Sequence, residues 1–71
     1  MALPQNLQYI RAQAGITQEQ LAEQLEVSRQ TVSKWESGSS FPEMDTLLRI
    51  CDLYEVNLYK LLRGSIEESR V

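Results

Sequence analysis

The sequence predicts an all-α fold, a compact bundle of five short helices, and three observations carry that prediction. Apolar residues return at steps of three and four in five separate segments. Residues that start or stop helices stand between those segments: Pro4, Gly15, Thr17, Ser28, Gly38, Asn57 and Gly64. The chain has 71 residues, 42% hydrophobic and 24% charged, with only 3 Gly and 2 Pro. That fits one globular unit and excludes collagen-like, low-complexity and disordered compositions. A core of this size is marginal. One Cys and no His remove disulfides and zinc as staples, so stability has to come from well-capped, packed helices.

The first helix carries Leu3, Leu7, Ile10 and Ala14, with Pro4 suited to its first position and Gly15 to its end. Thr17-Gln18-Glu19-Gln20 fits a capping box, in which the Thr17 hydroxyl accepts from the Gln20 amide and the Gln20 side chain reaches back. The second helix then runs about two turns to Leu25, burying Leu21, Ala22 and Leu25 and exposing Glu19, Glu23 and Gln24. Glu26-Val27-Ser28 interrupts the pattern, and Ser28 caps a third helix that turns Val32 and Trp35 inward, with Val27 packed under its entry. Gly38 ends it in the left-handed conformation. After a loop from Ser39 to Pro42, the recurrence of Met44, Leu47, Leu48, Cys51 and Tyr54 predicts a fourth helix. Glu55-Val56-Asn57 connects it to a fifth, capped by Asn57, carrying Leu58, Leu61 and Leu62 and stopped at Gly64. Residues 1–64 read as the domain and 65–71 as a frayed polar tail.

Composition narrows function. No stretch approaches the roughly 18 apolar residues of a membrane span, and no signal-peptide pattern opens the chain, so the expected setting is cytoplasmic without membrane contact. The unpaired Cys51 agrees with a reducing compartment and reads as an inert thiol on the apolar stripe. Without His, the Ser and Asp residues form no catalytic set, so no enzyme, metal or cofactor is expected. Glu43/Asp45 and Glu67/Glu68 read as helix-start and tail solubility features rather than metal ligands. A net charge of −3 opposes general attraction to a polyanion. Any contact with nucleic acid therefore has to be local.

A local signal is present. Two short helices joined by a three-residue break, with small Ala22 at their approach, match a helix-turn-helix at about residues 17–37. The second member of that motif can enter a DNA major groove. With Val32 and Trp35 inward, Arg29, Gln30, Ser33, Lys34 and Ser37 fall on its outer side. Arg and Lys donate to guanine O6 and N7, Gln bridges adenine N6 and N7, and Ser donates or accepts. No acid occurs from Ser28 to Ser33. The plainer alternative is a solvated helix face. Trp35 at an inward spacing reads as core.

Thr17-Gln18-Glu19-Gln20-Leu21-Ala22, the run from Val27 to Gly38 and the segment from Pro42 to Leu48 resemble the Cro and phage-repressor (XRE-type) helix-turn-helix family, over roughly residues 5–64. The resemblance implies a lambda-repressor-like five-helix domain in a sequence-specific, dimeric transcriptional regulator, expected here to be a repressor binding a double-stranded operator. It implies that Arg29, Gln30, Ser33 and Lys34 face the bases and that Gln18 caps its helix or contacts phosphate. It also implies a partly buried ion pair between Arg11 and Glu36. Two departures stand out. Glu26 occupies a turn position where relatives often have Gly or Asn, and Ser39-Ser40-Phe41 lacks the lysines that many relatives place against phosphate. Backbone contact then falls to amides, helix starts and the hydroxyls of Thr17, Ser28, Thr31, Ser37, Ser39 and Ser40.

Leu58, Tyr59, Leu62 and Ile66 form an apolar set that either completes the core or, left exposed, makes a homodimer interface at the carboxy-terminal region. Such a dimer sets two reading helices about 34 Å apart. Alternatively the chain is the amino-terminal module of a longer regulator that dimerises elsewhere. The rival from another class is an antitoxin or adaptor whose acidic surface binds a partner protein. A bundle this small leaves little room for a small-molecule pocket.

Overall fold

Five helices follow one another in the computed structural model, which describes residues 3–64: α1 (Leu3–Ala14), α2 (Gln18–Leu25), α3 (Arg29–Ser37), α4 (Met44–Tyr54) and α5 (Leu58–Arg63). The three predicted N-caps take their expected roles, whereas α1 already includes Leu3, so Pro4 lies inside the helix rather than at its first position. Thr17 and Gln20 form the reciprocal capping box, while Ser28 and Asn57 accept from the amides of Thr31 and Lys60. Helix ends repeat one device. Glu26, Gly38 and Glu55 take left-handed backbone at φ 60, 83 and 55. The next amide folds back each time: Val27 N–H donates to Ala22, Ser39 to Lys34 and Val56 to Cys51. At Glu26 and Glu55 the side chain makes this conformation costly, by about 1–2 kcal/mol each. Val27 and Val56, packed on the core one residue later, help hold those turns.

The core is Leu3, Leu7 and Ile10 from α1, Leu21, Ala22 and Leu25 from α2, Val32 and Trp35 from α3, Leu47 and Ile50 from α4, and Leu61 from α5. Three expectations change. Ala14, the last residue of α1, is exposed, because the chain turns away at Gly15 and leaves the methyl beyond the core. Met44 and Leu48 lie 54% and 46% exposed. The buried stripe of α4 is instead Leu47 and Ile50, flanked by half-buried Cys51 and Tyr54. Adjacent Leu47 and Leu48 allow two phases for the stripe, and packing against α2 and α5 selects the one through Ile50. Leu58 and Leu62 pack partly against the core while Tyr59 stays 67% exposed. Ile66 and the expected tail at 65–71 lie outside the described residues.

A buried polar group fastens the first helix to the last. Asn6 Nδ2 donates to the carbonyls of Leu61, Lys60 and Gly64 at 2.8, 3.0 and 3.2 Å, satisfying the carbonyl end of α5 from α1. Tyr54 on α4 donates its hydroxyl to Gln24 on α2. That contact ties α4 to α2.

Candidate nucleic-acid interface

α3 sits on α1 and α2 through Val32, Trp35 and the carboxylate of Glu36. Its opposite face carries Arg29, Gln30 and Lys34, exposed, with Ser33 half-buried beside them. Among the described residues these four side chains make no hydrogen bond or ion pair, so their donors and acceptors are unspent. The hydroxyl residues around them differ in this respect. Thr17 Oγ1 and Ser28 Oγ accept capping bonds from the Gln20 and Thr31 amides, both at 3.1 Å, and Ser28 and Thr31 share a hydroxyl contact at 2.9 Å. Each hydroxyl keeps capacity for at least one further partner.

Beyond α3, Ser37 Oγ donates to the Lys34 carbonyl at 3.1 Å and pairs with Ser39 Oγ at 2.9 Å. The backbone amides of Ser39 and Ser40 both turn onto the same Lys34 carbonyl, at 2.9 and 3.3 Å. Those amides are spent on ending the helix, and the Ser37 proton is spent on the Lys34 carbonyl and the Ser39 proton on Ser37, so the donors the loop keeps unspent for a phosphate are the Ser40 hydroxyl and the Phe41 amide.

The negative charge of α3 points inward. Arg11 Nε donates to Glu36 Oε2 at 2.9 Å and Nη2 to Oε1 at 3.1 Å, a two-point fork, while Nη1 donates to the Ile16 carbonyl at 3.1 Å. The Glu36 side chain is 5% exposed and that of Arg11 25%. The hydrogen bond to Glu36 raises the Arg11 pKa above its ordinary value against the opposing effect of burial, and the carboxylate charge adds to the rise. Gln8 Nε2 donates to the Glu36 carbonyl at 3.0 Å, and Gln18 Nε2 to Glu36 Oε1 at 3.1 Å. With Glu36 neutralised from behind, the outward face of α3 is cationic although the chain is acidic. The roles of Asn6, Gln8 and Ile50 were not visible in the sequence. Asn and Gln within a helix read as solvent-facing unless their partners, as many as 58 positions away for Asn6, are known.

Among the described residues no three acidic or Cys side chains gather into a metal-binding group, and no helix is long and apolar enough to cross a membrane.

Two short helices set across a left-handed turn, the second presenting an acid-free polar face with unspent side chains, define a helix-turn-helix domain. The chain belongs to that family: the family model described as "Helix-turn-helix" matches residues 7–61. It is 47% identical over 64 residues to the HTH-type transcriptional activator BcrR of Enterococcus faecalis, covering 90% of this chain and 31% of that protein. It is 37% identical over 70 residues to the HTH-type transcriptional regulator ImmR of Bacillus subtilis, covering 99% of this chain and 54% of that one. The cryptic phage CTXphi transcriptional repressor RstR of Vibrio cholerae is 31% identical over 61 residues, covering 86% and 54%. The chain thus spans between 31% and 54% of the length of these relatives. No solved structure gives a significant match.

Proposed function

We propose that this chain is the operator-reading domain of a sequence-specific transcriptional regulator that works in the cytoplasm without enzymatic activity. The observation that carries the reading is the face of α3. Arg29, Gln30, Ser33 and Lys34 stand together, unspent and free of acids, on a helix whose other side is locked into the core. α3 docks in the major groove with its amino-terminal residues nearest the base edges. Arg29 and Lys34 donate to guanine, Gln30 bridges adenine and Ser33 adapts to either. Gln18 and Thr17 at the start of α2, Ser28 and Thr31 at the start of α3, and the Ser37, Ser39 and Ser40 hydroxyls meet phosphates and set the register.

Regulation follows from occupancy. A site overlapping a promoter excludes polymerase, which is the repressor reading, and the relatives named above include both a repressor and an activator. Exposed Tyr59 beside half-buried Leu58 and Leu62 supports a homodimer through the carboxy-terminal region, with reading helices about 34 Å apart. A second reading, a domain that binds a partner protein, is favoured by the net charge of −3 and by exposed Glu19 and Glu23 on α2 and Glu26 just after it. Recovery of a stoichiometric protein partner with no DNA preference selects it.

The test is a titration of 15N-labelled protein with a duplex carrying its preferred sequence. Amide shifts concentrated at residues 17–18 and 28–40 are expected. Shifts confined to α4 and α5 refute the docking.

A further inference from the structure

We propose that Glu36 is a positioning residue for DNA binding: its carboxylate, fixed by Arg11, sets the Gln18 side chain in its phosphate-donating orientation before DNA arrives. The proposal rests on the reading above, in which the start of α2 meets a DNA phosphate.

A carboxylate only accepts, so the Gln18 carboxamide has to turn Nε2 toward Glu36, and the 3.1 Å contact to Oε1 fixes its sense. Glu36 cannot follow a moving partner. Its side chain is 5% exposed and both its oxygens are engaged by the Arg11 fork at 2.9 and 3.1 Å. Arg11 in turn holds the Ile16 carbonyl, one residue before the α2 cap, so a single guanidinium fixes both the acceptor and the entry to the helix.

Nε2 carries two protons, and one is spent on Glu36. The capping box consumes the Thr17 and Gln20 amides. What remains at this helix start is the second Nε2 proton with the Gln18 and Glu19 amides, three donors suited to one phosphate. A Gln side chain normally loses rotamer freedom when it binds. Here Glu36 removes that freedom beforehand.

Charge alone argues the other way. A carboxylate close to DNA should weaken binding, and deleting it should strengthen binding. Its contribution as a positioning group therefore has the opposite sign to its contribution as a charge.

The test is the charge-neutral double replacement Arg11→Met with Glu36→Leu, which removes the acceptor, leaves the net charge alone and fills the site with apolar side chains. Affinity should fall about three- to tenfold, equally on the preferred and on a scrambled duplex, since phosphate contact carries no sequence information. In a Gln18→Ala background the same double replacement should change nothing. Side-chain 15N relaxation on the unaltered protein without DNA supplies a reading that no variant's folding can obscure. Gln18 Nε2 should be as ordered as the backbone, whereas exposed Gln13 and Gln30 should be mobile. Unchanged affinity in the folded double variant, a full loss that persists in the Gln18→Ala background, or a Gln18 carboxamide as mobile as that of Gln30 overturns the proposal. If the unaltered protein binds no duplex, the DNA reading fails and takes this proposal with it, whatever the order of Gln18.

Discussion

Replacing Arg11 by Ala removes three hydrogen bonds at once, two to Glu36 and one to the Ile16 carbonyl. It leaves a carboxylate that is 5% exposed with only Gln18 Nε2 as a side-chain donor. Breaking one partner of a buried pair costs about 3–5 kcal/mol. The Arg11 side chain is 25% exposed, so water already screens the pair, which points to the lower end, about 3 kcal/mol. A chain of this length holds roughly 4–10 kcal/mol in all, so the loss is a large fraction of it and lowers Tm by well over about 10 °C. Urea unfolding followed by the fluorescence of Trp35, the chain's single and buried Trp, measures it directly.

A double replacement separates this cause from simple loss of packing. Arg11→Met with Glu36→Leu should cost far less than Arg11→Ala, because neither charge is then left buried alone. An Arg11→Ala variant within about 1 kcal/mol of the unaltered protein, or a double variant that loses as much as Arg11→Ala, refutes the reasoning.

Arg29→Ala or Gln30→Ala should relax discrimination at a single base pair by about 1–3 kcal/mol while leaving Tm unchanged, and equal losses on every duplex contradict the assignment. Binding should depend only moderately on salt. With two or three cationic side chains per subunit near DNA, a dimer neutralises roughly 4–6 phosphates and the log–log slope lies near −4 to −5, and a slope steeper than about −8 rules out this surface. Burial, with Asp52 adding, pushes the Cys51 thiol above its usual 9.0, and burial raises the Tyr54 phenol above 10.0 although the Gln24 bond opposes it. Both groups hold their protons more tightly when folded, so their stabilisation is complete below about pH 8 and is lost as pH rises through the folded values. Tm should fall between about pH 8 and pH 11, and a flat or rising Tm contradicts it.

Caps were the most legible part of the fold, because their chemistry is local. Thr17 with Gln20, Ser28 and Asn57 each act on amides within three residues, so the signal is complete in a short window. The left-handed turn at Glu26 is legible only through the family resemblance, in which that position often holds Gly or Asn, while the equivalent turn at Glu55 carries no residue-type signal, since Glu has no preference for that region. Long-range packing was the illegible part. The phase of α4 depends on what α2 and α5 offer it, and a run containing both Leu47 and Leu48 fits either phase. Asn6 looks like any helical surface residue until α5 brings three carbonyls to it. At the candidate interface the outward face of α3 was legible from Val32 and Trp35 alone. The spent amides of Ser39 and Ser40 and the tie between Gln18 and Glu36 required the structure.

The most direct test of the central claim, that α3 reads a DNA sequence, is selection of the purified protein against random duplexes at moderate salt, followed by sequencing. Enrichment of a short motif repeated as a palindrome, with half-site centres about 10–11 base pairs apart, is the predicted result for a dimer that sets two copies of α3 in successive major grooves. A folded protein that enriches no sequence contradicts the claim, and the acidic face of α2 then becomes the surface to pursue.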